Sequence, residues 1–143
     1  MKKYWILFIL VLLTGFARTQ EKVTWVVRYN AATNEVEFKA TIADGWHLYS
    51  QHISNEIGPV PTTFLFNENA TISWSGAVTE PTPIQEYDPN FEATLNFFKN
   101  EVIFKRKLAP GSKGVITGVI TYMVCNDIMC LPPSDLPFSI TLP

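Results

Sequence analysis

The sequence predicts an all-β chain, an immunoglobulin-like antiparallel β-sandwich, on three observations. Apolar residues recur with period two, turn-forming residues interrupt them about every eight to twelve positions, and no stretch carries an amphipathic helical stripe. A chain of about eight short strands with these turns has to bury its alternating faces sheet against sheet.

The first segment stands outside that fold. Lys2-Lys3, the unbroken apolar run Tyr4 to Leu13, and the small residues of Gly15-Phe16-Ala17 describe an export signal cleaved near Ala17. The run is too short for a permanent membrane anchor, and no cysteine stands near the cleavage site to carry a lipid. Residues 1–19 therefore read as a signal peptide and residues 20–143 as a single domain, long enough to bury a core. Export delivers it to a compartment where disulfides form. A net charge of −2 leaves no footprint for nucleic acid and no basic stripe for a membrane surface.

Val23, Trp25, Val27 and Tyr29 alternate with Thr24, Val26 and Arg28 in the first strand. After a turn at Asn30 to Asn34, Val36, Phe38, Ala40 and Ile42 alternate with Glu35, Glu37, Lys39 and Thr41. Asp44-Gly45 turns the chain into Trp46 to Tyr49, and Gly58-Pro59-Val60-Pro61 interrupts it before Thr62 to Phe66. Asn67-Glu68-Asn69 separates that run from Thr71 to Trp74. From Glu80 to Phe91 the period is lost, and the prolines at 81, 83 and 89 deny this stretch a place inside a sheet. Leu95 to Phe98, Val102 to Leu108, Val115 to Val124 and Phe138 to Leu142 read as the remaining strands.

The chemistry concentrates near the end. Cys125 and Cys130, the only two cysteines, flank the turn-forming Asn126-Asp127, and Pro132-Pro133 stops regular structure behind them. Facing antiparallel residues that exchange no hydrogen bonds stand about 4.5 Å apart at Cα, within the range a disulfide accepts, so the pair can close. A ring of about six residues gives such a bond only roughly 2 kcal/mol of entropic leverage. A reversible dithiol/disulfide pair is thus the sharper reading, beside a static hairpin staple. The spacing is neither Cys-x-x-Cys nor Cys-x-x-Cys-His. Zinc would need two further ligands, and His47 and His52, five apart in extended chain, point to opposite faces. Copper(I) is a third reading, because Met123, Cys125, Met129 and Cys130 bring four soft sulfurs into eight residues.

Asp44-Gly45-Trp46-His47-Leu48-Tyr49, the later Tyr87-Asp88-Pro89-Asn90-Phe91, and Tyr122-x-x-Cys125-x4-Cys130-x-Pro132-Pro133 together resemble the N-terminal periplasmic domain of the thiol:disulfide interchange protein DsbD. The resemblance spans nearly all of the chain after the signal peptide. It implies an immunoglobulin-like periplasmic domain acting as a thiol-disulfide oxidoreductase without cofactor or metal. Its cysteine pair would take electrons from a membrane-embedded thiol reductant and pass them to thioredoxin-like periplasmic proteins. Cys130 would be the sulfur attacked by incoming thiolates, Cys125 would resolve the mixed disulfide, and Tyr49 falls where the family has a tyrosine near the pair. A flexible loop with an aromatic tip covers the pair in the family; here Pro81 to Phe91 is the expected lid, with Tyr87 and Phe91 as candidates for its tip.

The chain departs from the family pattern at several points. Four residues separate the cysteines where the better-known domains have five, and His47 replaces an aromatic hydroxyl and introduces a titrating group. The family domain is normally fused to a membrane segment and a thioredoxin-like domain, so the expected electron donor is a separate protein. Nothing basic lies beside the cysteines; Asp127 reads either as a charge that disfavours a neighbouring thiolate or, by its place next to Asn126 the better reading, as an ordinary turn residue. The pair is therefore expected to be attacked by a partner's thiolate rather than to start the exchange.

Overall fold

The computed structural model describes residues 21–53, 56 and 58–143; the expected signal peptide, residues 1–19, lies outside them. Ten strands follow one another: β1 (Val23–Asn30), β2 (Glu35–Ile42), β3 (His47–Tyr49), β4 (Thr63–Phe66), β5 (Ile84–Asp88), β6 (Ala93–Phe98), β7 (Glu101–Lys107), β8 (Val115–Tyr122), β9 (Val124–Cys125) and β10 (Ser134–Thr141). All pairings are antiparallel, and no helix occurs among the described residues. This is the β-sandwich that the period-two pattern predicts.

The strands form three hydrogen-bonded groups, β1-β2-β7, β10-β8-β4 and β5-β6-β3-β9. The first two face each other through aromatic side chains. Phe38 of β2 meets Phe64 and Phe66 of β4 and Phe138 of β10, with ring centroids 4.8, 6.0 and 5.1 Å away. Trp25 of β1 packs against Phe64 and Tyr122. Phe38, Phe104, Ile120 and Leu48 are completely buried in this core, and each such side chain contributes roughly 1.5–3 kcal/mol. Gly118 of β8 sits where a Cβ would stand 2.2 Å from the Leu65 carbonyl oxygen and 2.7 Å from the Phe138 ring, so no larger residue fits between β4 and β10.

The third group is buried on both faces around β3. Alternation sends Leu48, Phe98 and Val124 into the main core. It sends Tyr49, Leu95, Phe97 and Cys125 into a second, smaller cluster on the other face. The strand read as Val115 to Val124 breaks at Met123: β8 pairs with β4 and β10, whereas β9 pairs with β3. That change of partner carries Cys125 out of the main sandwich and into the second cluster.

Three further expectations are corrected. The segment denied a place in a sheet contains β5, paired along its length with β6; its prolines bracket the strand, and it lies at the sheet edge, where one unpaired side is tolerated. Thr71 to Trp74 forms no strand, only an isolated bridge from Trp74 to Leu108. The last strand begins at Ser134 rather than Phe138, and it includes Pro137 because β10 too is an edge.

Candidate functional site

The two cysteines stand at the end of β9, where the chain folds back on itself. The Asn126 amide donates to the Met129 carbonyl at 2.9 Å and the Leu131 amide to that of Val124 at 3.0 Å, so Cys125 and Cys130 face each other without exchanging hydrogen bonds. Their Cα atoms are 4.0 Å apart and the disulfide is closed. Asn126 shapes the turn: its Oδ1 accepts from the amides of Ile128 (2.9 Å) and Met129 (2.7 Å). Asp127 is exposed at the tip and shares the lining of a cavity of about 210 Å³ with His47, Trp46 and Lys99.

The sulfurs are not equivalent. Cys125, opposite His47 in the ladder, is fully buried with Tyr49, Leu95 and Phe97, whereas Cys130 is only partly covered at the margin of the same cluster.

The turn between β5 and β6 covers this cluster. It carries Phe91, whose ring lies edge-on to Tyr49 at 6.0 Å and joins the apolar set around the disulfide. Beneath it is Gly58, at φ +125°, where a Cβ would approach the Phe91 ring to 2.9 Å. Tyr87, the other candidate for the tip, is 63% exposed. The expected loop is thus a hairpin end with Phe91 inside and Tyr87 outside.

Behind the apolar surface is a polar group of which the sequence singles out His47 and Tyr49 but not Asp88. His47, Tyr49 and Asp88 are all buried. His47 Nε2 lies 2.9 Å from Asp88 Oδ2 and 3.1 Å from the Tyr49 hydroxyl, and that hydroxyl donates to the same carboxylate oxygen. Burial penalises the Asp88 charge, but hydrogen bonds from Tyr49, the Asn90 amide, His47 and the Asn90 side chain outweigh it and hold the carboxyl below its ordinary range. An ionised carboxylate only accepts, so Nε2 of His47 carries a hydrogen toward it. Burial, reinforced by the Asp88 hydrogen bond and charge, pushes the Tyr49 phenol far above the usual tyrosine range and keeps it a neutral donor.

This group also ties the hairpin to the cysteine loop. Asp88 Oδ1 accepts from the Asn90 amide at 2.9 Å and from its side chain at 3.1 Å, and Asn90 Nδ2 donates in turn to the Asn126 carbonyl at 2.7 Å. Asp88 and Asn90 fall in the Tyr87 to Phe91 stretch that carries the family resemblance, but their Asx-turn spacing around Pro89 is one any surface turn shares and does not mark them as buried partners. His52 is exposed and apart from this group. Met123 turns its sulfur to the Val60 amide at 3.4 Å, and Met129 is 48% exposed. Among the described residues no three His, Cys, Asp or Glu side chains are gathered as a metal site.

Fold and site together define an immunoglobulin-like β-sandwich that carries one half-shielded disulfide at the end of a sheet. The chain belongs to the family of the N-terminal domain of thiol:disulfide interchange protein DsbD, whose profile matches residues 17–141. Its fold is similar to the reduced DsbD N-terminal domain of Neisseria meningitidis (19% identity, TM-score 0.58, covering 82% of this chain and 84% of that one). A similar likeness holds to the N-terminal periplasmic domain of ScsB from Proteus mirabilis (18%, 0.59, covering 83% of this chain and 45% of that one). It also resembles a chain in the complex of the DsbD and PilB N-terminal domains of Neisseria meningitidis (19%, 0.58, covering 80% of each chain). No curated protein matches the sequence.

Proposed function

We propose that this domain is a periplasmic thiol-disulfide carrier, with Cys130 as the sulfur that exchanges and Cys125 as its resolving partner. The observation that carries the reading is the unequal burial of the two sulfurs in one closed ring: only Cys130 reaches the margin where another protein's sulfur can approach. A partner thiolate attacks Cys130 Sγ, a mixed disulfide forms, and the Cys125–Cys130 bond breaks with its electron pair leaving on Cys125, which then takes up a proton. A second partner thiolate releases Cys130, leaving the partner oxidised and the domain as a dithiol. On the donating side the Cys130 thiolate attacks the disulfide of the next protein, and Cys125 displaces that protein as a dithiol while the ring closes again. Two electrons enter and two leave.

Family membership supports a membrane-embedded thiol donor and thioredoxin-like acceptors as the partners, and the solved complex of a DsbD N-terminal domain with a PilB N-terminal domain supports protein partners. The Phe91 hairpin serves as the lid, shielding the sulfur pair from small reductants while a protein partner displaces it. Equilibration of the purified domain with glutathione buffers tests the reading. A carrier has a reduction potential less negative than about −300 mV, whereas a value below that marks a structural staple.

A further inference from the structure

The loop that closes the disulfide ring carries two adjacent apolar side chains turned to solvent. Ile128 is 89% exposed, the most exposed of the large hydrophobic residues described, and Met129 beside it is 48% exposed. Single apolar residues on a surface need no explanation. This pair differs because its backbone is held in place: Asn126 Oδ1 accepts from both amides, the Asn126 amide closes on the Met129 carbonyl, and Asn90 holds the Asn126 carbonyl from the hairpin. The chain has therefore already met the ordering cost that a mobile loop would incur on binding.

Location decides what covers the pair. Ile128 and Met129 lie inside the small ring that the Cys125–Cys130 bond closes, so a protein sulfur brought within bonding distance of Cys130, about 2 Å, sets its surrounding surface against this turn. We infer that Ile128 and Met129 are the docking element for the carrier's redox partner: a folded protein presenting a cysteine thiolate amid an apolar surface that buries the two side chains. The inference rests on the carrier reading above and adds the contact by which a protein thiol is preferred to a small one. A small thiol reaches Cys130 without covering Ile128, so the loop gives it nothing.

The test compares two reductants on the oxidised domain, a reduced thioredoxin and dithiothreitol, for the wild type and for Ile128→Ser and Met129→Gln. Loss of a buried isoleucine contact predicts a fall of about tenfold or more in the second-order rate with thioredoxin for Ile128→Ser, and a smaller fall for Met129→Gln. The dithiothreitol rates should stay at the wild-type value, which also certifies a folded site. A wild type that reacts with thioredoxin while Ile128→Ser reacts equally fast overturns the docking role and leaves the carrier reading standing. Equal falls with both reductants overturn it too, since the loop would then act on the bond itself. A wild-type disulfide that thioredoxin leaves closed contradicts the carrier reading and the docking role with it.

Discussion

The two apolar clusters of this domain are built differently. The main core between β1-β2-β7 and β10-β8-β4 is a mesh of phenylalanines and aliphatic residues contributed by nearly every strand. The smaller cluster has four fully enclosed members, Tyr49, Leu95, Phe97 and Cys125, and is closed from outside by Phe91 and backed by the His47–Tyr49–Asp88 hydrogen bonds. One cluster holds the fold. The other holds a disulfide beneath the Phe91 turn. The lid role proposed for the Phe91 hairpin assigns opening to the smaller cluster, and regions that open are drawn from the less stable parts of a protein, so stability and sulfur reactivity are predicted to change separately.

The largest expected effect is on stability alone. Phe38→Ala should cost about 3–5 kcal/mol in urea unfolding, the usual penalty for emptying a buried aromatic site. The dithiothreitol rate of the folded fraction should remain unchanged. A large change in that rate would mean that the two clusters are not independent.

Reducing the disulfide comes next, at about 2 kcal/mol from the small ring. Circular dichroism of the reduced domain should keep its β signal at room temperature. Loss of that signal would make the bond a staple.

Tyr49→Phe removes one donor from the buried Asp88 carboxylate but leaves those of His47 and Asn90, which puts its cost toward the lower end of about 1–3 kcal/mol. The pH dependence has a definite sign. Because folding lowers the Asp88 pKa, its contribution is complete above the ordinary carboxylate value of about 4 and is lost as pH falls through the folded value. Tyr49 acts at the other end: folding raises its pKa, so its contribution is complete below about pH 10 and declines as pH rises further. Unfolding midpoints measured across pH should fall at both ends, and Asp88→Asn should flatten the acid limb.

How much of this could be read in advance follows the same division. The strands of the main core carry their own signal, since Val36, Phe38, Ala40 and Ile42 alternate whatever they pack against. Strand β5 carries none: Ile84-Gln85-Glu86-Tyr87 is exposed throughout, and its conformation is set by pairing with β6 rather than by a buried face. The cysteine hairpin was legible from Asn126 and the spacing of the two sulfurs, including the side-by-side pairing without hydrogen bonds. Asp88 was not legible as a buried group, because its partners His47 and Tyr49 lie about forty residues upstream and meet it only through the order β5-β6-β3. The choice between Tyr87 and Phe91 was also beyond the sequence. Both lie at the same hairpin end, and only the packing of the Phe91 ring against Tyr49 and Gly58, with Tyr87 left in solvent, separates them.

That last distinction gives the smallest stability effect and a kinetic one. Phe91→Ala should speed reduction by dithiothreitol with little change in unfolding midpoint, and Tyr87→Ala should leave both alone. Equal rates in the wild type and a folded Phe91→Ala variant would reduce Phe91 to packing.

The most direct measurement concerns which sulfur exchanges. Each cysteine is replaced by serine in turn, the variant is mixed with a thioredoxin-like partner, and the covalent complex is counted on a non-reducing gel. Cys125→Ser should trap the mixed disulfide through Cys130, because the resolving thiol is gone, and Cys130→Ser should form none. Trapping by Cys130→Ser alone would reverse the roles of the two cysteines, and equal trapping by both would contradict the claim that burial selects one sulfur for exchange.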